Sequence, residues 1–125
     1  MNMIEINDKY YKGYEGEHEI QFIKSYNNGS SKILSIWDGY FDDIMRSIEP
    51  SENGWTGLAY YYHLCIGWYN ENPWRIPNLK DCLLQFNNLE TRNFRFEKTK
   101  NVLEEICSII SDAINENESI WIAEE

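Results

Sequence analysis

The sequence predicts an α+β fold: a helix-rich single domain over residues 1–125, with about four helices and a small antiparallel sheet formed by N-terminal and C-terminal strands. Three observations point there. Apolar residues recur at three-and-four spacing through two long stretches, residues 32–48 and 97–115. Short stretches near both ends alternate instead, as half-buried strands do. Finally, 42% of the residues are hydrophobic, which is enough apolar surface to offset the entropy of ordering a chain whose net charge is -10.

Met3 to Ile6 alternates weakly and Glu19 to Lys24 more clearly, with Ile20 and Phe22 on one face; both are expected to be strands. Tyr10 to Gly16 reads as a loop punctuated by two glycines. Asn27-Asn28-Gly29-Ser30 supplies turn chemistry and offers Ser30 or Ser31 as a helix cap. The first helix is then expected from Lys32 to Ile48, with Ile33, Ile36, Trp37, Tyr40, Phe41, Ile44 and Ile48 facing the core. Ser35, Asp38, Asp42, Asp43, Arg46 and Glu49 fall on its other face. Asp38 and Asp42 stand one turn apart, and Arg46, a further turn on, offsets part of their repulsion.

Residues 55–66 fit either a helix or a buried strand; Leu58, Ala59 and Leu64 favour a helix, ended by Gly67. Trp68 to Ile76 reads as an aromatic loop with a short extended piece near Trp74 to Ile76. Asn78 caps the next helix, whose stripe is Leu79, Cys82, Leu83, Phe86 and Leu89. The last helix runs from Glu97 to Asn115, and Ser119 to Ala123 forms a strand that pairs with an N-terminal one.

The charge bounds the function. With 21 Asp and Glu against 11 Lys and Arg, direct binding of DNA or RNA is disfavoured, because phosphate affinity comes from basic side chains. Gly13-Tyr14-Glu15-Gly16 has no Lys and places an acid where a phosphate would sit, so a nucleotide loop is disfavoured too. The start, MNMIEINDKYYKG, lacks a basic region followed by an apolar one, and no apolar run is long enough to span a bilayer. A cytoplasmic chain is expected. Three widely spaced cysteines, Cys65, Cys82 and Cys107, suit buried reduced thiols rather than a disulfide framework.

No motif for chemistry stands out. His63-Leu64-Cys65 is the nearest approach to a metal-ligand pair, but two residues apart on a helix they point to different faces. Asp38 with Asp42, or Glu104 with Glu105, can in principle serve as acid and base, yet helix surfaces carry such pairs mostly as solvated faces. No catalytic residue, metal or cofactor is expected. The loop Trp68 to Trp74 packs two Trp, one Tyr and Glu71 into seven residues, a set suited either to covering a core edge or to an interface.

The stretch Gly67-Trp68-Tyr69-Asn70-Glu71-Asn72-Pro73-Trp74-Arg75-Ile76-Pro77-Asn78-Leu79, followed by two helices and the Ile120-Trp121-Ile122 strand, resembles immunity proteins of bacterial contact-dependent inhibition and related polymorphic toxin systems. The small size and acidic balance are similar as well. What the resemblance implies is a role: a cytosolic protein that binds the toxic C-terminal domain of a cognate toxin, often a nuclease, and blocks its work. Electrostatics favours such a partner independently, since a nuclease presents a basic cleft to phosphates and carboxylates complement it. The expected partner-binding residues are Asp38, Asp42 and Asp43 on the first helix, with Tyr69, Glu71 and Trp74 from the aromatic loop. Two other classes stay open: a small acidic adaptor for some other basic protein, and an enzyme with an unrecognised carboxylate site. The second would show as a deep pocket lined by two acids of raised pKa.

Overall fold

A computed structural model describes residues 3–125. Five strands and four helices follow one another as β1 (Ile4–Tyr10), β2 (Glu19–Ser25), β3 (Ser31–Trp37), α1 (Asp38–Arg46), α2 (Gly57–His63), β4 (Trp74–Arg75), α3 (Leu79–Asn87), α4 (Thr99–Glu116) and β5 (Ser119–Glu124). The α+β expectation is met. The strands form one sheet in the order β1-β3-β2-β5-β4. It is mixed rather than purely antiparallel, because β1 runs parallel to β3 while the other pairs are antiparallel. The C-terminal strand pairs with an N-terminal one as expected, β5 lying beside β2 from Ser25↔Ser119 to Ile20↔Glu124.

The main departure lies at residues 32–37, expected to begin the first helix. They form β3, and only Asp38–Arg46 is helical. The spacing Ile33, Ile36, Trp37 fits a helix face, but the preceding residues close a hairpin instead of capping a helix. Tyr26 N donates to Ser30 O (2.9 Å), Ser30 N donates to the Asn28 side chain (2.8 Å), and Gly29 takes φ +87°, open to glycine without strain. Ser30 therefore caps no helix; its hydroxyl accepts from Met3 N. Once the turn is set, seven residues of β3 pair with all seven of β2, and the ladder outweighs the local helical pattern.

Residues 55–66 resolve to the helical alternative, though α2 is short. It ends at His63, well before Gly67, and the chain turns at Cys65, which adopts φ 55° while Ile66 N donates to Tyr61 O and Cys65 N to Tyr62 O. That pair of bonds satisfies carbonyls left over at the helix end. Asn117, at φ 57°, closes α4 in the same way, with Glu118 N donating to Ala113 O (2.8 Å), so β5 starts almost at once. Asn78 caps α3 as expected, its side chain accepting from Asp81 N (3.1 Å).

The core lies between one sheet face and the helices. Ile20 and Phe22 of β2, Leu34 and Ile36 of β3, and Ile120 and Ile122 of β5 are buried with Phe41, Ile44, Val102, Ile106 and Ile110 from α1 and α4. Phe22 and Phe41 meet edge to face at 5.9 Å between centroids. Lys24 continues the buried column of β2, and its ammonium pairs with Glu116 at 2.8 Å beside the Tyr26 ring. Burial alone would lower its pKa; the Glu116 and Tyr26 partners more than offset that, so the net shift is upward. Among the described residues no helix is long and apolar enough to cross a membrane. The cysteines are all free, with Cys82 buried and Cys107 half-buried; Cys65, expected inside, is exposed because its left-handed turn carries it outward.

Asp43 also departs from expectation. Helical spacing puts it on the exposed face of the first helix, but only 3% of it is exposed. Its carboxylate accepts from Arg95 N (2.9 Å), Phe96 N (3.1 Å) and Thr99 Oγ1 (2.6 Å), tying α1 to the chain entering α4. A carboxylate that satisfies two free backbone donors before a helix is structural, and it is not available to a partner. Asp43→Ala is expected to destabilise the fold by about 3 kcal/mol, because buried donors lose a charged acceptor; urea unfolding measures it, with Asp43→Asn losing less.

Candidate functional site

The candidate site grows from the place where β3 passes into α1 without a loop. Asp38 N donates to His18 O (3.0 Å), which holds the first residue of α1 against the start of β2. The neighbouring β5 ends in the same place, since Glu19 and Glu125 exchange both backbone hydrogen bonds at 2.9 Å. The sheet thus delivers Glu19, Asp38, Glu124 and Glu125 to one end of the molecule. Asn72 extends that end: its Nδ2 donates to Glu124 O (2.7 Å) and its Oδ1 accepts from Glu124 N (3.1 Å), anchoring the loop that carries Glu71.

Here the acids divide by what they touch. Asp42 is occupied: the Tyr62 hydroxyl donates to Oδ1 and Arg46 Nε donates to Oδ2 at 2.8 Å. The Arg46 pair is the one expected from helical spacing. Asp38 has no such cation. Burial raises its pKa, and Glu124 and then Asp42 add like-charge repulsion that His18 only partly relieves. Tyr69, from the 3-10 turn Gly67–Tyr69, lies beside the same group; burial first, then Glu124, push its phenol up to about 12. Tyr62 is likewise raised, by burial and by its bond to Asp42.

An open hollow of about 420 Å³ lies on this face, lined by Gly16, Glu17, His18, Trp37, Asp38, Gly39 and Asp42. Its aromatic wall is rigid. Trp37 stacks on Tyr14 with centroids 4.2 Å apart, meets Tyr40 and Phe96 edge-on, and donates its indole N–H to Glu17 (3.1 Å). Gly39 is required beneath it, because a Cβ there would clash with the benzo edge of the indole. An acidic hollow with fixed aromatic walls is chemically suited to receive a guanidinium or ammonium group.

The structure therefore brings together Asp38, Asp42 and Tyr69 of the six residues expected from sequence, with Glu71 exposed on the adjoining loop. It separates the other two. Asp43 points inward, as described above. Trp74 is half-buried against Tyr61 and Trp68, with centroids 4.6 and 5.5 Å away, so it mainly covers a core edge together with the fully buried Trp68. Sequence reasoning missed His18, Glu17 and Glu124. Glu124 had one usable signal, the pairing of the last strand with an N-terminal one, but its register was not legible. Among the described residues no group of three or more His, Cys, Asp or Glu is placed to hold a metal ion.

Comparison with family models, with curated proteins and with solved structures finds no match. The geometry of the acidic end is therefore what bears on function.

Two outcomes follow from it. A raised carboxyl pKa means the folded state holds the Asp38 proton more tightly than the unfolded one, so this group's contribution to stability is fully present below the ordinary value of 3.8 and is lost as pH rises through the folded value. Asp38→Asn should accordingly be more stable than the native chain near neutral pH, with the advantage vanishing below about pH 3.8 in a series of denaturation curves. Gly39→Ala should cost about 1–3 kcal/mol by displacing Trp37, read by denaturation together with a change in tryptophan fluorescence.

Proposed function

We propose that this protein is an immunity protein that neutralises the toxic C-terminal domain of a cognate bacterial toxin, a nuclease, by presenting its acidic end to the toxin's basic cleft. The observation that carries the reading is the uncompensated carboxylate group of Asp38 and Glu124 beside Asp42, with the Tyr69 ring at its edge. Holding like charges together costs stability, and a basic partner removes that cost on binding. Carboxylates there stand in for the phosphates of the toxin's substrate, while the Trp37 wall and the exposed Tyr69 supply short-range contact area. The hollow is open rather than enclosed, which suits insertion of a side chain from a protein surface. Asp42 acts through geometry: fixed by Tyr62 and Arg46, it keeps α1 and α2 in register beneath the contact.

The test is co-purification with the product of the gene directly upstream, followed by rescue of growth when that product is expressed. The double variant Asp38→Lys, Glu124→Lys should weaken the complex by about 10–100-fold, mostly through slower association at low salt, and should lose protection. Asp81→Lys, an exposed acid in the first turn of α3, is the charge control and should protect like the native chain. Unchanged affinity and protection in a folded double variant would remove the acidic end from the interface.

A further inference from the structure

The cations of this acidic chain are not spread evenly. Four of its eleven Lys and Arg, namely Arg92, Arg95, Lys98 and Lys100, fall within nine residues, with Glu97 the one acid among them. They occupy the segment that leads from α3 into α4, and all four are exposed. Arg92 pairs with Glu90 at 2.8 Å; among the described residues the other three pair with no carboxylate. Helix stability does not account for them, because the start of a helix favours acids and the first turn of α4 holds none. The segment is also fixed in place. Asp43 accepts from Arg95 N and Phe96 N, the Arg95 guanidinium stands 5.7 Å from the Phe96 ring, and Phe96 meets Trp37 edge-on at 5.1 Å. Trp37 is a wall of the acidic hollow, so the cationic segment adjoins the acidic end across one aromatic contact.

We propose that this cationic segment is the second half of the partner-binding surface, and that the protein bound there carries carboxylates beside its basic cleft to meet Arg95, Lys98 and Lys100. The inference rests on the reading of the acidic end as the face that meets a basic partner. Area brings the segment in. Seven residues line the hollow, whereas a stable interface takes about 20–30 residues on each side, so contact has to spread onto the surface that adjoins it. Beyond Trp37 that surface is the cationic segment. A uniformly basic partner is repelled there, while one with acids beside its cleft is attracted on both sides of the boundary. The paired signs thus favour one partner and reject other basic proteins. Nucleic acid fits the segment less well. Phe96 is packed against Trp37 and Tyr40, and Phe94 against the core, so both rings are engaged rather than free to stack on bases. Glu97 also interrupts the run of positive charge that a phosphate backbone needs, whereas separate carboxylates on a protein have no such need.

The test measures binding of the full chain to the product of the gene directly upstream, at low and at high salt. Arg95→Glu with Lys98→Glu adds acid to an already acidic chain and should nonetheless weaken the complex about tenfold at low salt, with the difference shrinking at high salt. Arg95→Gln with Lys98→Gln should weaken it less but in the same direction, and it decides the matter where circular dichroism shows the reversed chain unfolded. Tighter or unchanged binding by a folded variant, with Asp38→Lys plus Glu124→Lys still weakening the complex, would overturn this inference and leave the acidic end as the contact. Native-like binding by that acidic double variant, or no binding of the upstream product at all, would overturn the underlying reading and this inference with it. A single-stranded RNA retarded by the native chain but not by Arg95→Glu with Lys98→Glu would give the segment to nucleic acid instead. A free chain of twice 14.9 kDa that becomes single on the same reversal would give it to a second copy.

Discussion

Most of this molecule depends on the position of β2 between β3 and β5. Seven residues pair on one side and six on the other, and every consequential placement follows from those two registers. They align the buried columns Ile20 and Phe22, Leu34 and Ile36, Ile120 and Ile122 under the same helices. They also bring three chain segments far apart in sequence, around His18, Asp38 and Glu124, to one sheet end. A side chain's face in a strand is set by parity, so a slip of one residue would move Glu124 away from Asp38 and turn Ile122 out of the core. The stability of the core and the make-up of the acidic end are fixed by one constraint.

That constraint sorts the acidic residues into roles. Asp43 spends its charge on donors before α4 and Glu116 on the buried Lys24, so both serve the fold. Asp42 is matched by Arg46 and Tyr62. Asp38 and Glu124 remain, held near each other without a matching cation, and the Asp38 carboxyl pKa is raised first by burial and then by the charge of Glu124. Local conflict of this kind is a common property of surfaces shaped for a partner rather than for the isolated fold. The apolar strand β1 lies at the other margin of the sheet, away from that conflict.

The legible parts of the fold were those whose signal is local. In α4 the apolar stripe persists for five turns and ends at an asparagine able to adopt a left-handed conformation, and the observed Thr99–Glu116 nearly coincides with the expected span. Asn78 likewise declared its cap through side-chain chemistry alone. Residues 32–37 misled because Ile33, Ile36 and Trp37 satisfy a helical period while the Asn-Asn-Gly turn before them sets up a hairpin. The turn prevailed, since it offers β3 a complete ladder with β2. On the candidate surface, Asp38 and Asp42 were readable from their separation on a helix. Asp43, one residue on, was not, because the donors that claim it come from residues 95–99.

By itself, the sequence determined the fold class, the helical identity of most long segments, the excess of acids and the pairing of the last strand with an early one. Composition, period and capping chemistry are properties of neighbours along the chain, and they carry that much. Only the tertiary structure decided which acids face solvent, which are consumed by backbone donors, that Trp74 packs more than it displays, and that β1 joins in parallel and leaves an apolar edge. Those outcomes depend on strand register and on hydrogen bonds spanning more than fifty positions, and no local pattern encodes a partner that far away.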